Sequence, residues 1–460
     1  MTLIKSISGI RGTIGGKVGE GLSPVDAVKF AAAYGTWLKT NNPAPIKVVV
    51  GRDARLSGEM ISQLVNATLV GLGIHVIDLG LSTTPTVEVA VPMEQAQGGI
   101  ILTASHNPKE WNALKLLNAK GEFISAEEGQ WILDNAEKEA FEFASVDELG
   151  KVEQNDQYLE KHIQAILALN LVDVQAIREA DFCIAVDAVN STGGIFVPKL
   201  LEALGVHRIK KIYCDPTGHF PHNPEPLPEH LGDLSELIRR ESADLGITVD
   251  PDVDRLAMIC EDGSMFGEEY TLVAVADYVL DHTPGATVSN LSSTRALRDI
   301  TEKRGLNYHA AAVGEVNVVK QMKACNAVIG GEGNGGVIYP ELHYGRDALV
   351  GIALFLSHLA KKNIKASELR DSLPKYVISK NKLQLTPAIN VDQLLEKLAS
   401  KYASEEIDLS DGLKIYMGNQ WVHLRKSNTE PIIRIYSEGP SKEDADAFAH
   451  RFIDELKALI

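Results

Sequence analysis

The sequence is poor in the features that mark several large classes of protein. Only 4 of its 460 residues are cysteine, and no CxxC pair occurs. No apolar run approaches the length that crosses a bilayer, and the N-terminus turns glycine-rich before a signal-like apolar region develops. These absences argue against a disulfide-stapled scaffold, a cysteine zinc site and a membrane protein. We therefore expect a cytoplasmic protein.

Positive charge is also scarce. The 45 lysines and arginines are outnumbered by 62 aspartates and glutamates, which gives a formal net charge of −17. A nucleic acid or an anionic membrane requires a broad basic face, so we expect neither as a partner. A small anionic ligand remains compatible with this charge, because a few converging Arg and Lys side chains make a locally positive cleft.

What the chain does have is a regular alternation of strand and helix patterns. Its 460 residues suggest roughly two to four domains. Short β-branched runs such as IKVVV (46–50) alternate in three rounds with helical stretches, which predicts βαβ units and mostly parallel sheets. The C-terminal part instead has a strand, loop, strand, helix pattern. We predict three similar mixed α/β domains and a smaller C-terminal α+β domain, with boundaries 1–150, 151–256, 257–372 and 373–460.

Three loops follow the predicted last strand of each round. They are TASHNP (103–108), DPDVDR (250–255) and GEGNGG (331–336). Ligands of open α/β sheets bind at the carboxyl ends of the strands. We therefore expect these three loops to line one cleft.

DPDVDR carries the most specific chemistry. Asp250, Asp252 and Asp254 alternate directly after an apolar strand, and a tight loop can turn such carboxylates toward one hard cation such as Mg²⁺. An EF-hand loop is excluded because Arg255 occupies the position that requires glycine. A solvated acidic turn is the competing interpretation, although three carboxylates this close repel one another without a counter-ion.

The other loops are weaker signals when each is taken alone. Ser105 is a poor nucleophile without a base, a metal or a preformed phosphate, and an ordinary ST-turn explains it equally well. Glu332 and Asn334 can hydrogen-bond sugar hydroxyls, or they belong to a flexible glycine turn. Lys115 follows TASHNP and can return to that loop, and Arg11 stands between glycines in SGIRG (8–12).

The C-terminal loop RKSNTEP (425–431) is basic and rich in small donors. Such a loop suits a phosphate dianion, which arginine binds in a bidentate manner, although a plain hairpin turn fits the same letters. The residues concerned are Arg425, Ser427, Asn428, Thr429 and, beyond the loop, Arg434.

Taken together and in this order, the motifs resemble the α-D-phosphohexomutase family over essentially the whole chain. The motifs are SGIRG, TASHNP, DPDVDR, GEGNGG and RKSNTEP. The resemblance implies a heart-shaped molecule of four domains: a phosphoserine domain, a metal-loop domain, a sugar-recognition domain and a phosphate-binding domain. It also implies an isomerase that interconverts hexose 6-phosphate and hexose 1-phosphate through a phosphoserine, with hexose 1,6-bisphosphate as intermediate and activator.

The resemblance also implies a role for each candidate residue. Ser105 holds the transferable phosphate and completes the Mg²⁺ site of Asp250, Asp252 and Asp254. The reacting phosphate is surrounded by Arg11, Lys115 and Arg255, and His106 and Lys115 are alternative proton acceptors. The sugar hydroxyls are contacted by Glu332 and Asn334, and the distal phosphate by Arg425, Ser427, Asn428, Thr429 and Arg434.

More than one sugar and more than one type of reaction are compatible with these motifs. The GEGNGG form of the sugar loop is similar to an archaeal-type branch of the family, and members assigned to glucosamine have it, so we expect glucosamine phosphate. Mannose and glucose phosphates are the alternative. A metal-dependent sugar phosphatase would need no distal phosphate loop, and a non-catalytic sugar-phosphate-binding paralogue would be expected to lack Ser105 or an aspartate.

Overall fold

A computed structural model of the chain describes residues 2–6, 9–386, 389–427 and 432–459. The chain forms two compact units, and each is described by itself. The first consists of Met1–Thr271 and Asn334–Leu369, and the second of Leu272–Gly333 and Arg370–Ile460. Within the described residues, none of the helices is both long and apolar enough to cross a bilayer.

The first unit begins with a seven-stranded sheet. Its strands β1 to β7 are Ile4–Ser6, Gly9–Thr13, Lys47–Arg52, His75–Leu81, Gly98–Leu102, Trp111–Leu117 and Val152–Gln154, in the order β1-β2-β6-β5-β3-β4-β7. The helices α1 to α4 are Pro24–Asn41, Gly58–Gly71, Thr84–Met93 and Ala126–Lys138. The sheet is mixed, because β5 runs parallel to β3 and antiparallel to β6, and β5 is buried along its whole length.

A second sheet of four strands lies in the same unit. Strands β8 to β11 are Cys183–Asp187, Arg208–Ile212, Leu245–Val249 and Leu256–Cys260, in the order β11-β10-β8-β9. Strands β9 and β10 run parallel to β8, whereas β11 is antiparallel to β10. The helices α5 to α8 are Tyr158–Leu167, Val174–Ala180, Gly193–Ala203 and Gly232–Glu241.

The third round of strands and helices follows. Strands β12 to β14 are Thr287–Asn290, Tyr308–Ala311 and Ile329–Glu332, and β12 runs parallel to both of its neighbours. Strand β15 is Gly336–Ile338. The helices α9 to α13 are Glu268–His282, Ala296–Lys303, Glu315–Cys325, Ala348–Lys362 and Ala366–Ser372.

The C-terminal part is an antiparallel sheet with two helices. Strands β16 to β20 are Val377–Gln384, Glu406–Asp408, Leu413–Met417, Gln420–Lys426 and Ile432–Gly439, in the order β16-β20-β19-β18-β17. The helices α14 and α15 are Val391–Lys401 and Lys442–Leu459, and their apolar faces meet the sheet in a core of its own. The predicted α+β character of this part is confirmed.

One expectation about the loops was wrong. TASHNP and DPDVDR do not follow the last strand of their sheets, because β6 and β11 come next and pair antiparallel with β5 and β10. An antiparallel partner can follow directly through a short connection, so no crossover helix is needed. Glu332 likewise ends β14 instead of lying in a loop. The second sheet extends to Cys260, so the predicted border at 256/257 falls at the start of β11.

Candidate active site

The loop between β10 and β11 holds three carboxylates together. Asp250, Asp252 and Asp254 are fully buried, and each offers an oxygen within 4.8 Å of the others. Asp250 Oδ1 accepts the backbone N–H groups of Asp254 at 3.2 Å and of Arg255 at 3.1 Å. These bonds close the loop, and Val253 at its centre has a φ of +63°. A β-branched residue in this region is strained, which is common at binding loops.

The outer oxygens of two aspartates are bound by neighbouring side chains. Asp252 Oδ2 accepts hydrogen bonds from the Thr84 hydroxyl at 2.6 Å and the Lys115 ammonium at 2.7 Å. Asp254 Oδ2 accepts one from Arg346 at 2.7 Å. By contrast, Asp252 Oδ1 and Asp254 Oδ1 have no hydrogen-bond partner within the part of the chain that the structure describes. Buried carboxylate oxygens without partners suit a hard divalent cation such as Mg²⁺.

The electrostatics of the loop favour a bound cation. Burial and the charges of Asp252 and Asp254 raise the pKa of Asp250 well above its ordinary value. Burial also opposes ionisation of Asp254, but Arg346 and Lys115 outweigh it and lower the pKa of that carboxyl. A divalent ion would allow all three carboxylates to be ionised together.

Ser105 lies against this loop. Its hydroxyl donates a hydrogen bond of 2.9 Å to Asp250 Oδ2, and it stands 3.4 Å from His106 Nδ1. The backbone of Ser105 has a φ of +48°, and its N–H donates to the Thr103 hydroxyl at 3.0 Å. The structure therefore places the serine directly beside the predicted metal ligands.

Arg55, which the motif analysis did not identify, holds the serine loop from behind. Its guanidinium is buried and donates to the backbone carbonyls of Pro108 at 2.7 Å and Asn107 at 2.7 Å. It also donates to the carbonyl of Ser105 itself. Asp53 accepts from Arg55 Nε at 3.0 Å and orients the guanidinium. The only signal for this role was a basic residue in the GRDARLSG loop after β3.

Cations surround the serine and the aspartates. Lys115 lies on β6, and Arg11 lies on the neighbouring strand β2 opposite Ala113. Arg255 Nε is 3.9 Å from Asp254 Oδ1. Burial alone would lower the pKa of Lys115, but Asp252 and Asp254 raise it above its usual range, which favours a permanently charged lysine.

The surroundings of His106 favour its neutral form. Burial and the charge of Arg255 hold the pKa of His106 well below its usual range. A neutral imidazole next to the serine can accept a proton, whereas a charged lysine contributes mainly electrostatic stabilisation. Both residues lie at the site.

Two further contacts were missed at the sequence level. Arg346 precedes α12 in the GRDA stretch, and Thr84 begins α3 in LSTTPT. Neither position is marked by an unusual local motif. Each reaches the aspartates only because the fold brings its helix to the β10–β11 loop.

The remaining predicted residues lie mainly in the second unit. Glu332 Oε1 accepts hydrogen bonds from Asn290 at 2.7 Å and from the Gly314 N–H at 3.1 Å. Asn334 lies in the first unit, where its side-chain oxygen accepts the Gly336 N–H at 3.2 Å. The Glu332 carboxylate is therefore held at the end of β14 by neighbouring donors.

Three of the predicted phosphate residues, Arg425, Ser427 and Arg434, are described, and they lie on or directly beside β19 and β20. Arg425 lies directly opposite Arg434 in the β19–β20 register, and Arg425 Nε is 2.8 Å from Asp411 Oδ2. The Ser427 N–H donates to the Ile432 carbonyl at 3.0 Å. Asn428 and Thr429 lie outside the described residues.

Comparison with known proteins identifies the family. Four family descriptions match in sequence order: Phosphoglucomutase/phosphomannomutase alpha/beta/alpha domains I, II and III at residues 3–143, 157–263 and 267–376, and the C-terminal domain at residues 381–455. The chain belongs to the phosphoglucomutase/phosphomannomutase family. The predicted fold class of three α/β domains and a C-terminal α+β domain is thereby confirmed, as is its character as a phosphohexomutase.

Individual relatives agree with this membership. The chain is 37% identical to a phosphoglucomutase/phosphomannomutase of Thermococcus kodakarensis, over 98% of both chains. It is 31% identical to a phosphoglucosamine/phosphogalactosamine mutase of Sulfurisphaera tokodaii, again over 98% of both. Its fold matches the crystal structure of a phosphoglucomutase/phosphomannomutase family protein from Burkholderia thailandensis with a TM-score of 0.84 and 26% identity, covering 100% of this chain and 98% of that one.

Proposed function

We propose that this chain moves a phosphate between the 6- and 1-hydroxyls of a hexose by way of a phosphate carried on Ser105. The observation that carries the proposal is the position of Ser105 Oγ, 2.9 Å from Asp250 Oδ2. Beside it, Asp252 and Asp254 each present a buried oxygen that lacks a partner in the described residues. A phosphorylated serine here would meet the ligands and cations that phosphoryl transfer requires.

Asp250, Asp252 and Asp254 would hold Mg²⁺, and a phosphate on Ser105 would complete its ligands. When bound, the ion supplies positive charge that offsets negative charge on the transferring phosphate. The chain's own cations act in the same sense: Lys115 and Arg346, already beside the aspartates, and Arg11 and Arg255 nearby.

In the proposed reaction, a free sugar hydroxyl attacks the phosphorus of phospho-Ser105. A new phosphorus–oxygen bond to the sugar forms as the bond to Ser105 Oγ breaks, and the hydroxyl proton passes to the imidazole of His106, since the ammonium group of Lys115 has no lone pair to accept it. The resulting hexose 1,6-bisphosphate turns over, and its other phosphate returns to Ser105. The net reaction exchanges the 6-phosphate for the 1-phosphate and consumes no further reactant.

The remaining predicted residues would hold the rest of the sugar phosphate. Arg425 and Arg434, with Ser427, Asn428 and Thr429, would bind the phosphate that is not reacting, because charge and many donors accept either orientation of the sugar. Glu332 and Asn334 would hydrogen-bond the sugar hydroxyls.

For the sugar, we propose glucosamine phosphate. The GEGNGG loop supports this choice, as does a relative named phosphoglucosamine/phosphogalactosamine mutase. The second candidate is glucose or mannose phosphate, favoured by the 37% identical relative named phosphoglucomutase/phosphomannomutase. Glu332 and Asn334 do not distinguish these sugars if they bind the 3- and 4-hydroxyls, since the sugars differ at C2.

The test compares kcat/KM for glucosamine, glucose and mannose 1-phosphates in one assay with a trace of the matching bisphosphate. We expect glucosamine 1-phosphate to be preferred. A preference of about tenfold or more for glucose or mannose, worth about 1.4 kcal/mol, would replace the glucosamine proposal with the second candidate.

Ser105→Ala should abolish turnover of every sugar while binding persists, and mass spectrometry should find the phosphate on Ser105 of active enzyme. Phosphate on another residue, with Ser105 unmodified, would overturn the mechanism.

A further inference from the structure

A second cluster of ligand-type side chains lies in the first unit, apart from the three aspartates. It joins His162 of α5 to His343 and Asp347, which precede α12. Asp347 Oδ2 is 3.0 Å from His162 Nε2 and 3.4 Å from His343 Nε2. The three ligand atoms lie within 4.8 Å of one another, and the side chains of His162 and Asp347 are fully buried.

Each of these side chains is oriented by a contact on its far side. His162 Nδ1 lies 2.9 Å from the Thr86 hydroxyl, and His343 Nδ1 lies 3.4 Å from Glu88 Oε2. Asp347 Oδ1 accepts the N–H of Leu349 at 2.8 Å at the start of α12. Metal-binding histidines characteristically donate their other ring N–H to an oxygen, and His162 has such a partner in Thr86. His343 Nδ1 faces Glu88 but has no hydrogen-bond partner within the described part of the chain. The arrangement therefore leaves both Nε2 atoms and Asp347 Oδ2 facing one point.

The distances suit a small divalent ion. Ligands at about 2.0–2.1 Å from a tetrahedral Zn²⁺ are about 3.3 Å apart, close to the 3.0 and 3.4 Å between Asp347 and the two imidazoles. The charge fits as well. Glu88 and Asp347 are two buried carboxylates, and a divalent cation balances both while the two histidines stay neutral.

A route to solvent exists beside the cluster. His343 lines a surface pocket together with Val89, Met93, Ala165 and Leu169. The imidazole is nevertheless about nine-tenths buried, with side-chain exposure of 10%. His343 is therefore the member of the cluster that borders this pocket.

We propose that His162, His343 and Asp347 form a binding site for Zn²⁺ or a similar first-row divalent ion, distinct from the aspartate site. Two imidazoles and one carboxylate select such an ion, whereas three carboxylates select Mg²⁺. The ion would join α5 to the start of α12 and support the Mg²⁺ loop, because Arg346 contacts Asp254 and the Ala348 N–H donates to the Val253 carbonyl at 3.1 Å.

The competing state is a protonated network without metal, in which an imidazolium of His343 bridges Glu88 and Asp347. To separate the two, the full chain is stripped of metal and titrated with Zn²⁺ or Co²⁺ in excess Mg²⁺, which keeps the aspartates occupied. We expect one equivalent of Zn²⁺ to bind, and X-ray absorption at the zinc edge should show imidazole ligands. Co²⁺ in the same site should give the visible absorption spectrum of a tetrahedral complex. No binding under excess Mg²⁺, or an ion with only oxygen ligands, would overturn the site.

Variants locate the site without any use of activity, so the test is independent of the proposed function. His162→Gln and His343→Gln should lose the Zn²⁺ equivalent and any rise in Tm that Zn²⁺ produces. Thr86→Val, which removes the hydroxyl that contacts His162 and Thr83 but no proposed ligand, should bind Zn²⁺ about 10–100-fold more weakly. The exposed His207→Gln is the matched control and should behave as wild type. Equal Zn²⁺ binding by wild type and both histidine variants would refute the proposal. If those variants do not fold, the Zn²⁺ stoichiometry of wild type and its ligands at the zinc absorption edge test the site instead.

Discussion

At the scale of single residues, two strained positions mark the centre of the site. Ser105 and Val253 both have a positive φ although neither is glycine. Such conformations cost about 1–3 kcal/mol each and persist only where surrounding contacts fix them. For Ser105, the Thr103 hydroxyl and the Arg55 guanidinium provide those contacts. The protein's own contacts therefore fix the backbone of Ser105.

Asp252 provides the first residue-scale prediction. Asp252→Asn replaces a buried anionic oxygen that has no partner in the described residues with a neutral amide, which weakens a hard-cation site. We expect kcat to fall by about 10²–10³-fold, with only partial rescue by excess Mg²⁺. Titration of activity against Mg²⁺ measures both effects, and the exposed Asp262→Asn is the control. Full wild-type activity after exhaustive chelation would contradict the metal site.

Arg55 provides the second prediction. Arg55→Lys keeps the charge but loses the planar group that binds several carbonyls of the serine loop at once. Because small displacements of a reacting group cost up to about 10²-fold, kcat should fall by about 10–10²-fold while KM changes little. Steady-state kinetics and thermal unfolding separate this effect from loss of fold. Arg52→Lys, at the end of β3, should change kcat little. An equal loss of kcat in both variants would argue against a positioning role for Arg55.

At the scale of elements, the β19–β20 pair places Arg425 and Arg434 opposite each other. Like charges directly across a strand pair are unfavourable, so a bound anion would relieve a repulsion already present in the sheet. Asp411 offsets part of this charge through its contact with Arg425. The arrangement suits a phosphate that binds and leaves in each catalytic cycle.

Arg425→Ala tests this element. The variant should weaken the binding of both hexose 1-phosphate and hexose 6-phosphate by about 1.5–3 kcal/mol, the scale of a charge-assisted hydrogen bond. Calorimetry with the Ser105→Ala background measures binding without turnover. Lys426→Ala, the exposed neighbour that pairs with Asp392, is the control. Unchanged affinity in Arg425→Ala would place the distal phosphate elsewhere.

At the scale of the whole molecule, one buried acid couples stability to pH. In the second unit, Glu438 Oε1 accepts the Trp421 indole N–H at 2.6 Å and the Arg295 N–H at 3.0 Å. Burial raises the pKa of Glu438 from 4.5 to about 7, despite these donors and the nearby charge of Lys414. The folded chain thus binds this proton more tightly than the unfolded chain does.

The consequence for stability has a definite sign. A raised carboxyl pKa stabilises the fold fully below about pH 4.5, and this stabilisation is lost as the pH rises through about 7. Glu438→Gln mimics the protonated form, so its Tm should fall less than that of wild type between pH 5 and pH 8. The corresponding difference in the free energy of unfolding should be on the order of 1–3 kcal/mol. Thermal unfolding at both pH values measures it, with the exposed Glu443→Gln as control. Parallel pH profiles for wild type and Glu438→Gln would contradict the raised pKa.

The sequence by itself determined the class of the protein and the principal residues of the candidate site. Local chemistry was sufficient for β3, which includes most of the β-branched run IKVVV, and for three aspartates alternating after an apolar strand. These signals are local because a helix, a strand or a metal loop depends on residues that are close in the chain. The family resemblance then supplied roles that no single motif established.

Only the tertiary structure decided which distant residues meet these motifs. Arg55, Thr84 and Arg346 reach the serine and the aspartates from separate elements, and His162 meets Asp347 across 185 positions of sequence. The antiparallel strands β6 and β11 were likewise decided by sheet pairing. Such contacts depend on how helices and strands pack, and packing is set by the summed burial of many side chains rather than by the spacing within any one stretch.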